Sequence, residues 1–201
     1  MRSVLVAQPV SPDADMHWLL EAISLSRRCV PSATAFSVGA VLVAADGTVL
    51  SAGFSRERDP REHAEESALA RLGMPGDRTA GVRTGDVRTG GDRTGGDRTA
   101  GGQPAGATGC RSGAGPVTAA DLAGATMYSS LEPCASRASR PVPCADLIIA
   151  SGIGRVVIAW HEPPIFVPGG GAARLREAGL TVMVIPELAA AAQAVNAHLL
   201  S

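Results

Sequence analysis

Apolar and polar residues run along this chain in two rhythms, and the change from one to the other marks its elements. Trp18, Leu19, Ala22, Ile23 and Leu25 recur at helical spacing, which predicts a helix from a cap at Asp13 or Asp15 through about Arg28. Two β-rich runs follow, 38–44 and 48–54, on either side of Asp46-Gly47, a pair that favours a turn between antiparallel strands. A helix is expected over about 63–72. Beyond residue 116 the pattern reads strand (125–130), helix (143–151), strand (155–160), helix (172–178) and strand (180–185), then an alanine-rich terminal helix. Strands alternating with helices predict parallel neighbours. The expected architecture is therefore one α/β domain spanning 1–201, its mixed sheet built from the hairpin first and parallel strands afterwards.

The pattern is interrupted between Pro75 and Pro116, where 13 of the 24 glycines fall. Within this segment arginine followed by threonine returns at every fifth position from Arg78 to Arg98. A period of five fits neither helix nor strand, and the segment holds too little apolar surface to offset the entropy of ordering it. It reads as a disordered surface insert, 75–116, within the domain. Its six arginines and four aspartates leave a charge of only +2, so an arginine-rich interaction arm is the weaker reading.

Composition narrows the chemistry. All 18 basic residues are arginine, and the 201-residue chain carries a net charge of -1. Without lysine there is no Schiff-base amine, no P-loop lysine and no kinase strand lysine. The balanced charge, with six aromatic residues in all, argues against a nucleic-acid partner. No apolar stretch approaches the length of a membrane span, and the apolar run at the start is too short for a signal peptide. The expectation is a soluble, cytoplasmic protein acting on a small molecule. In that setting Cys29, Cys110, Cys134 and Cys144 read as metal ligands or free thiols rather than a disulfide frame.

Two motifs carry the chemistry. His63-Ala64-Glu65 opens a helix; Pro133-Cys134 follows a strand, and Pro143-Cys144 opens another helix, with nine residues between the two cysteines. One imidazole and two thiolates make a three-ligand zinc set that leaves the fourth position open, as catalytic sites do. Cys110 could close the set but lies in the insert, while Cys29 reads as a core thiol. At a helix N-terminus the thiolate of Cys144 is favoured. Zinc brings the pKa of a coordinated water to about 7, and Glu65 stands close enough to take and return its proton. His-x-Glu followed by Pro-Cys-x-x-Cys is the signature of zinc nucleobase deaminases; here the order is kept with a longer gap.

That gap sharpens the comparison. Thr34-Ala-Phe-Ser-Val-Gly-Ala-Val-Leu-Val43, His63-Ala-Glu-Glu-Ser-Ala-Leu69, Met127-Tyr-Ser-Ser-Leu-Glu-Pro-Cys134, Pro143-Cys-Ala-Asp146 and Glu162-Pro-Pro-Ile-Phe-Val167 resemble the cytidine-deaminase-like superfamily. Within it they are most similar to the pyrimidine deaminases of riboflavin biosynthesis, in their eukaryote-type branch. The resemblance implies a three-layer α/β/α fold on a mixed five-stranded sheet, and a homodimer or larger assembly. It also implies a zinc-dependent hydrolase that releases ammonia from a diaminopyrimidinone bearing a phosphorylated ribityl- or ribosylamine. His63, Cys134 and Cys144 carry over as zinc ligands and Glu65 as the proton shuttle. Ala35 and Phe36 stand where the bacterial family has Asn-Pro, so a contact made by that asparagine is missing or supplied otherwise. With no lysine, Arg137 and Arg140 between the cysteines become the candidates for the substrate phosphate. Glu132 and Ala64 complete the candidate substrate contacts, although Glu132, like Glu162, reads first as a structural carboxylate. His17, His161 and His198 read as structural; reaching the site is only the weaker reading of His161, which lies at a strand end. A deaminase of another base or pathway intermediate is the alternative within the class, and a non-catalytic zinc-binding module the alternative outside it.

Overall fold

Strand β1 (Gly39–Val43) is buried along its whole length, which is why its sequence is an unbroken apolar run. The computed structural model describes residues 11–73, 117–167 and 169–200; the expected insert at 75–116, with Cys110, lies outside them. β1 pairs antiparallel with β2 (Val49–Phe54) on one side and with β3 (Thr126–Ser129) on the other. Strands β4 (Arg155–Ile158) and β5 (Thr181–Val184) continue in parallel, giving the order β2-β1-β3-β4-β5.

Alternate residues of the central strands point to opposite faces, and each face has its own core. Ala40, Leu42, Met127, Val156 and Ile158 pack against α2 (Ala64–Arg71), α4 (Cys144–Ser151) and α5 (Gly171–Glu177) through Ala68, Ile148 and Leu175. Val41, Val43, Tyr128 and Val157 meet Leu19, Ala22 and Ile23 of α1 (Pro12–Ser26), with Ala192 of α6 (Ala189–Val195). The result is three layers, α/β/α, on a five-stranded sheet: the mixed sheet expected from the chain's pattern, in the layering its resemblance implied. Among the described residues no helix is long and apolar enough to cross a membrane.

Several local expectations are corrected. The cap of α1 is Ser11, whose side chain accepts from the Ala14 N–H at 3.2 Å, with Pro12 at the first helical position. Asp15 instead points into the protein, where it accepts from the Tyr128 hydroxyl at 2.8 Å and from both terminal nitrogens of Arg155 at 2.7 and 2.6 Å. The expected hairpin forms and closes through 44–48, where the Ala44 N–H donates to the Thr48 carbonyl at 2.8 Å. Gly47 adopts φ 83° there, and a bulge shifts the register between Leu42 and Val43. Strand β4 ends at Ile158, short of the expected 160; beyond it the Trp160 carbonyl accepts the Glu132 N–H at 2.8 Å. The short α3 (Ala119–Ala123) was not expected; Thr118 starts it by accepting from the Asp121 N–H at 3.2 Å.

Candidate metal centre and its cavity

Three element ends converge beside the carboxyl ends of β3 and β4. His63 is the last extended residue before α2, and its carbonyl accepts the Ser67 N–H at 2.9 Å to start the helix. Cys134 follows β3 on the opposite side, and Cys144 is the first residue of α4, held there by the extended Pro143. The N-terminus of α4 points its free donors at Cys134. The Cys144 N–H reaches the Cys134 sulfur at 3.4 Å, and the Ala145 N–H its carbonyl at 3.1 Å. The Cys134 sulfur lies 3.7 Å from Nδ1 of His63, and one ligand atom from each of His63, Cys134 and Cys144 lies within 4.8 Å of the others.

These donors fit zinc. Tetrahedral zinc with its usual bonds to sulfur and imidazole nitrogen holds those two atoms roughly 3.5 Å apart, close to the spacing found. The thiols are also prepared for it. A hydrogen bond from Cys144, aided by His63, holds the Cys134 thiol down to about 4, while that bond and burial hold Cys144 up. The two thiols are thus pushed in opposite directions, Cys134 toward the thiolate form that binds metal.

Glu65 sits in the first turn of α2, two residues after His63, and is 3% exposed. Ser129, at the end of β3, donates to its Oε1 at 2.7 Å and fixes its orientation. Burial pushes the carboxyl above the ordinary range, against the pull of that hydrogen bond and of His63.

The centre opens into a cavity of about 410 Å³ lined by His63, Glu65 and Cys134 together with Phe36, Glu162 and Phe166. Phe36 meets Phe166 edge-on at 5.1 Å and Trp160 at 5.5 Å, making an aromatic wall. The loop carrying Phe36 is held by two residues that the chain's pattern does not mark. Arg56, at φ 63°, donates to the carbonyls of Val30 and Phe36 and to the Ser37 hydroxyl. Asn196, after α6, accepts the Ser37 N–H at 2.7 Å and returns a bond to the Ser37 carbonyl at 3.0 Å.

The structure places the remaining candidates differently from their expected roles. Arg137, 3% exposed at its side chain, donates to Glu66 at 2.8 Å and to the Val142 carbonyl at 2.9 Å. Arg140, 9% exposed, pairs with Glu66 at 3.1 Å and Asp59 at 3.6 Å. Both guanidinium groups therefore fasten the loop between the cysteines to α2; Arg137 still borders the cavity and Arg140 does not. Ala64 packs into the core behind α2, away from the cavity. Glu132 borders the cavity, but its oxygens accept from His161 Nδ1 and from the N–H groups of Glu162, Gly170 and Ala172, at 2.7 to 3.2 Å. It works as the cap of α5 and the clasp of the 161–170 loop. Burial opposes its charge, yet those donors hold its carboxyl below the ordinary range. His161 faces Glu132 and not the cavity. Cys29 is a buried thiol donating to the Val38 carbonyl at 3.4 Å. Glu162, read from sequence as structural, makes no such bond: its Oε2 is shielded from solvent and has no hydrogen-bond partner.

Comparison with known proteins gives this geometry a setting. The family described as the cytidine and deoxycytidylate deaminase zinc-binding region matches residues 12–160. The diaminohydroxyphosphoribosylamino-pyrimidine deaminase of Schizosaccharomyces pombe is 29% identical over 181 residues, which is 90% of this chain and 34% of that protein. The riboflavin biosynthesis protein RibD of Escherichia coli is 46% identical over 59 residues, covering 29% of this chain and 16% of its own. The chain thus spans about a third or less of these relatives. Among solved structures, Acinetobacter baumannii RibD (form 1) superposes with a TM-score of 0.62 at 25% identity, covering 94% of this chain and 39% of its own. The Aspergillus oryzae Rib2 deaminase in complex with DARIPP superposes with a TM-score of 0.56 at 23% identity, covering 86% and 84%, a likeness of fold.

Proposed function

The chain belongs to the cytidine and deoxycytidylate deaminase zinc-binding family, and from that premise we propose that it is a zinc-dependent hydrolytic deaminase of riboflavin biosynthesis. Its substrate on this reading is a diaminopyrimidinone carrying a phosphorylated ribosyl- or ribitylamine. The observation that carries the reaction class is the convergence of His63, Cys134 and Cys144 within 4.8 Å, with the buried Glu65 beside them. Likeness to the S. pombe pyrimidine deaminase along 90% of this chain supports the substrate.

His63, Cys134 and Cys144 would hold zinc, which supplies a Lewis acid and lets water ionise near neutrality. The protein's own residues supply the rest. Glu65, with Oε1 held by Ser129, offers its second oxygen to carry one proton of the attacking water to a ring nitrogen, and then the remaining proton of the added hydroxyl to the departing amine. Water adds to the amine-bearing carbon, the carbon–nitrogen bond breaks, and ammonia leaves. The aromatic wall of Phe36 and Phe166 seats the ring and keeps bulk water from it.

The phosphate falls to a residue not singled out from sequence. Arg56 is committed to Val30, Phe36 and Ser37, Arg58 to Glu62, and Arg137 to Glu66. Arg61 lines the same cavity, is 63% exposed, and has only a loose contact with Asp59 at 3.7 Å. A guanidinium so placed can turn to a phosphate and bind it by two parallel hydrogen bonds.

Metal analysis joined to turnover tests the mechanism. The full-length protein is expected to hold one zinc per chain and Cys134→Ala to lose it. Glu65→Gln is expected to keep the metal while losing about 10²- to 10⁴-fold in turnover. Wild-type ammonia release by Glu65→Gln contradicts the role given to Glu65.

A further inference from the structure

Four carboxylates line the cavity: Glu62, Glu65, Glu132 and Glu162. Glu62 is engaged by the Arg58 guanidinium and by its backbone N–H at 3.1 Å. Glu132 accepts four hydrogen bonds from the chain around it. Glu65 is held by Ser129 at the metal centre for the proton transfers. Glu162 alone of the four has an oxygen cut off from solvent and bonded to nothing in the protein.

A buried carboxylate oxygen without a partner is destabilising, because its lost hydration is not replaced. A structure tolerates that cost where the partner arrives with a ligand. Glu162 is not placed there loosely. Its own N–H donates to Glu132 at 3.1 Å, and the same Glu132 carboxylate ties down Gly170 and Ala172 at the far end of the loop. The loop is therefore clasped at both ends, with Phe166 between them on the cavity wall.

The substrate class supplies a matching donor. A diaminopyrimidinone has two exocyclic amines; hydrolysis removes one, and the other stays on the ring and needs an acceptor. We infer that Glu162 is a specificity residue of this cavity, its carboxylate, which accepts no hydrogen bond from the described residues, turning to accept one from the retained ring amine. The inference rests on the substrate reading above and adds to it the group that separates diamino from monoamino pyrimidines. Burial, with Cys134, Glu65 and Glu132 nearby, pushes the Glu162 carboxyl up to about 8, as expected for a carboxylate still without its donor. A site built to hydrogen-bond a substrate N–H discriminates strongly against an analogue lacking it, because the buried group is then left unpaired.

The test compares two substrates on the zinc-loaded, full-length protein: the diaminopyrimidinone ribosylamino phosphate, and the same compound with hydrogen in place of the retained amine. Wild type is expected to prefer the diamino compound in kcat/KM. In both Glu162→Gln and Glu162→Ala that preference is expected to fall at least tenfold, chiefly through KM for the diamino compound, with zinc content and melting temperature held. The near-isosteric glutamine keeps the question answerable should the alanine variant fold poorly. A preference that persists in both variants overturns the inference, as does an equal loss on both substrates. A wild type inactive on the diamino compound overturns the substrate reading instead and takes this inference with it.

Discussion

Glu66 follows the proposed proton carrier in sequence and faces two buried guanidinium groups, those of Arg137 and Arg140. Removing one partner of a buried ion pair leaves the other charge uncompensated, and this costs about 3–5 kcal/mol. Glu66→Ala leaves Arg137 without its carboxylate and Arg140 with Asp59 alone, so its stability, measured by urea unfolding of the zinc-loaded protein, is expected to fall by about that much. A loss below about 1 kcal/mol, the scale of surface pairs, would show that the arginines are not held as described. The same residues show what could be read from the chain alone. His63 and Glu65 were legible because their spacing within one helical turn is local. Arg137 was also visible, as a cation between two ligand cysteines, but its partner lies 71 residues earlier, and nothing local distinguishes a guanidinium bound to phosphate from one bound to glutamate. Glu162 was hidden for the converse reason: its significance is a missing bond, and a sequence records no bonds.

Among the elements, α5 bears on the metal centre although it supplies no ligand. A Cβ on Gly171, at its start, would lie 1.6 Å from the Pro133 carbonyl oxygen. Pro133 precedes Cys134, so Gly171→Ala must push the loop carrying this proposed zinc ligand out of place. Zinc affinity, read by competition with a chelator, is expected to fall about 10- to 100-fold, the effect of losing outer-shell support. An affinity equal to wild type would show that α5 does not set the position of Cys134. Most elements were foreseen, because apolar periodicity reports which faces are buried, and β1 to β4 are enclosed or half-enclosed while only β5, at the sheet edge, is largely open. The errors lie at ends and turns. Ser11 outcompeted Asp13 and Asp15 for the cap of α1 because Asp15 is drawn inward by Tyr128 and Arg155. The five-residue α3 escaped notice because so short a helix has no room for a period.

In the whole molecule, the centre is assembled from segments far apart in sequence: the loop before α2, the loop after β3, the start of α4, and the 161–170 loop. The parallel order of β3, β4 and β5 brings the last three to one edge of the sheet. That convergence was implied by the family resemblance more than by periodicity, which predicts elements but not which ends meet. Asn196 extends it to the end of the chain, pinning the Phe36 loop across 159 residues of sequence. The central claim is that this assembly deaminates a diaminopyrimidinone phosphate, and the direct measurement is ammonia release by the zinc-loaded protein from that compound, cytosine, cytidine and guanine in parallel. The structure predicts release from the diaminopyrimidinone phosphate, abolished by Glu65→Gln and weakened by Arg61→Ala through KM. No release from that compound by a protein holding one zinc per chain would contradict it.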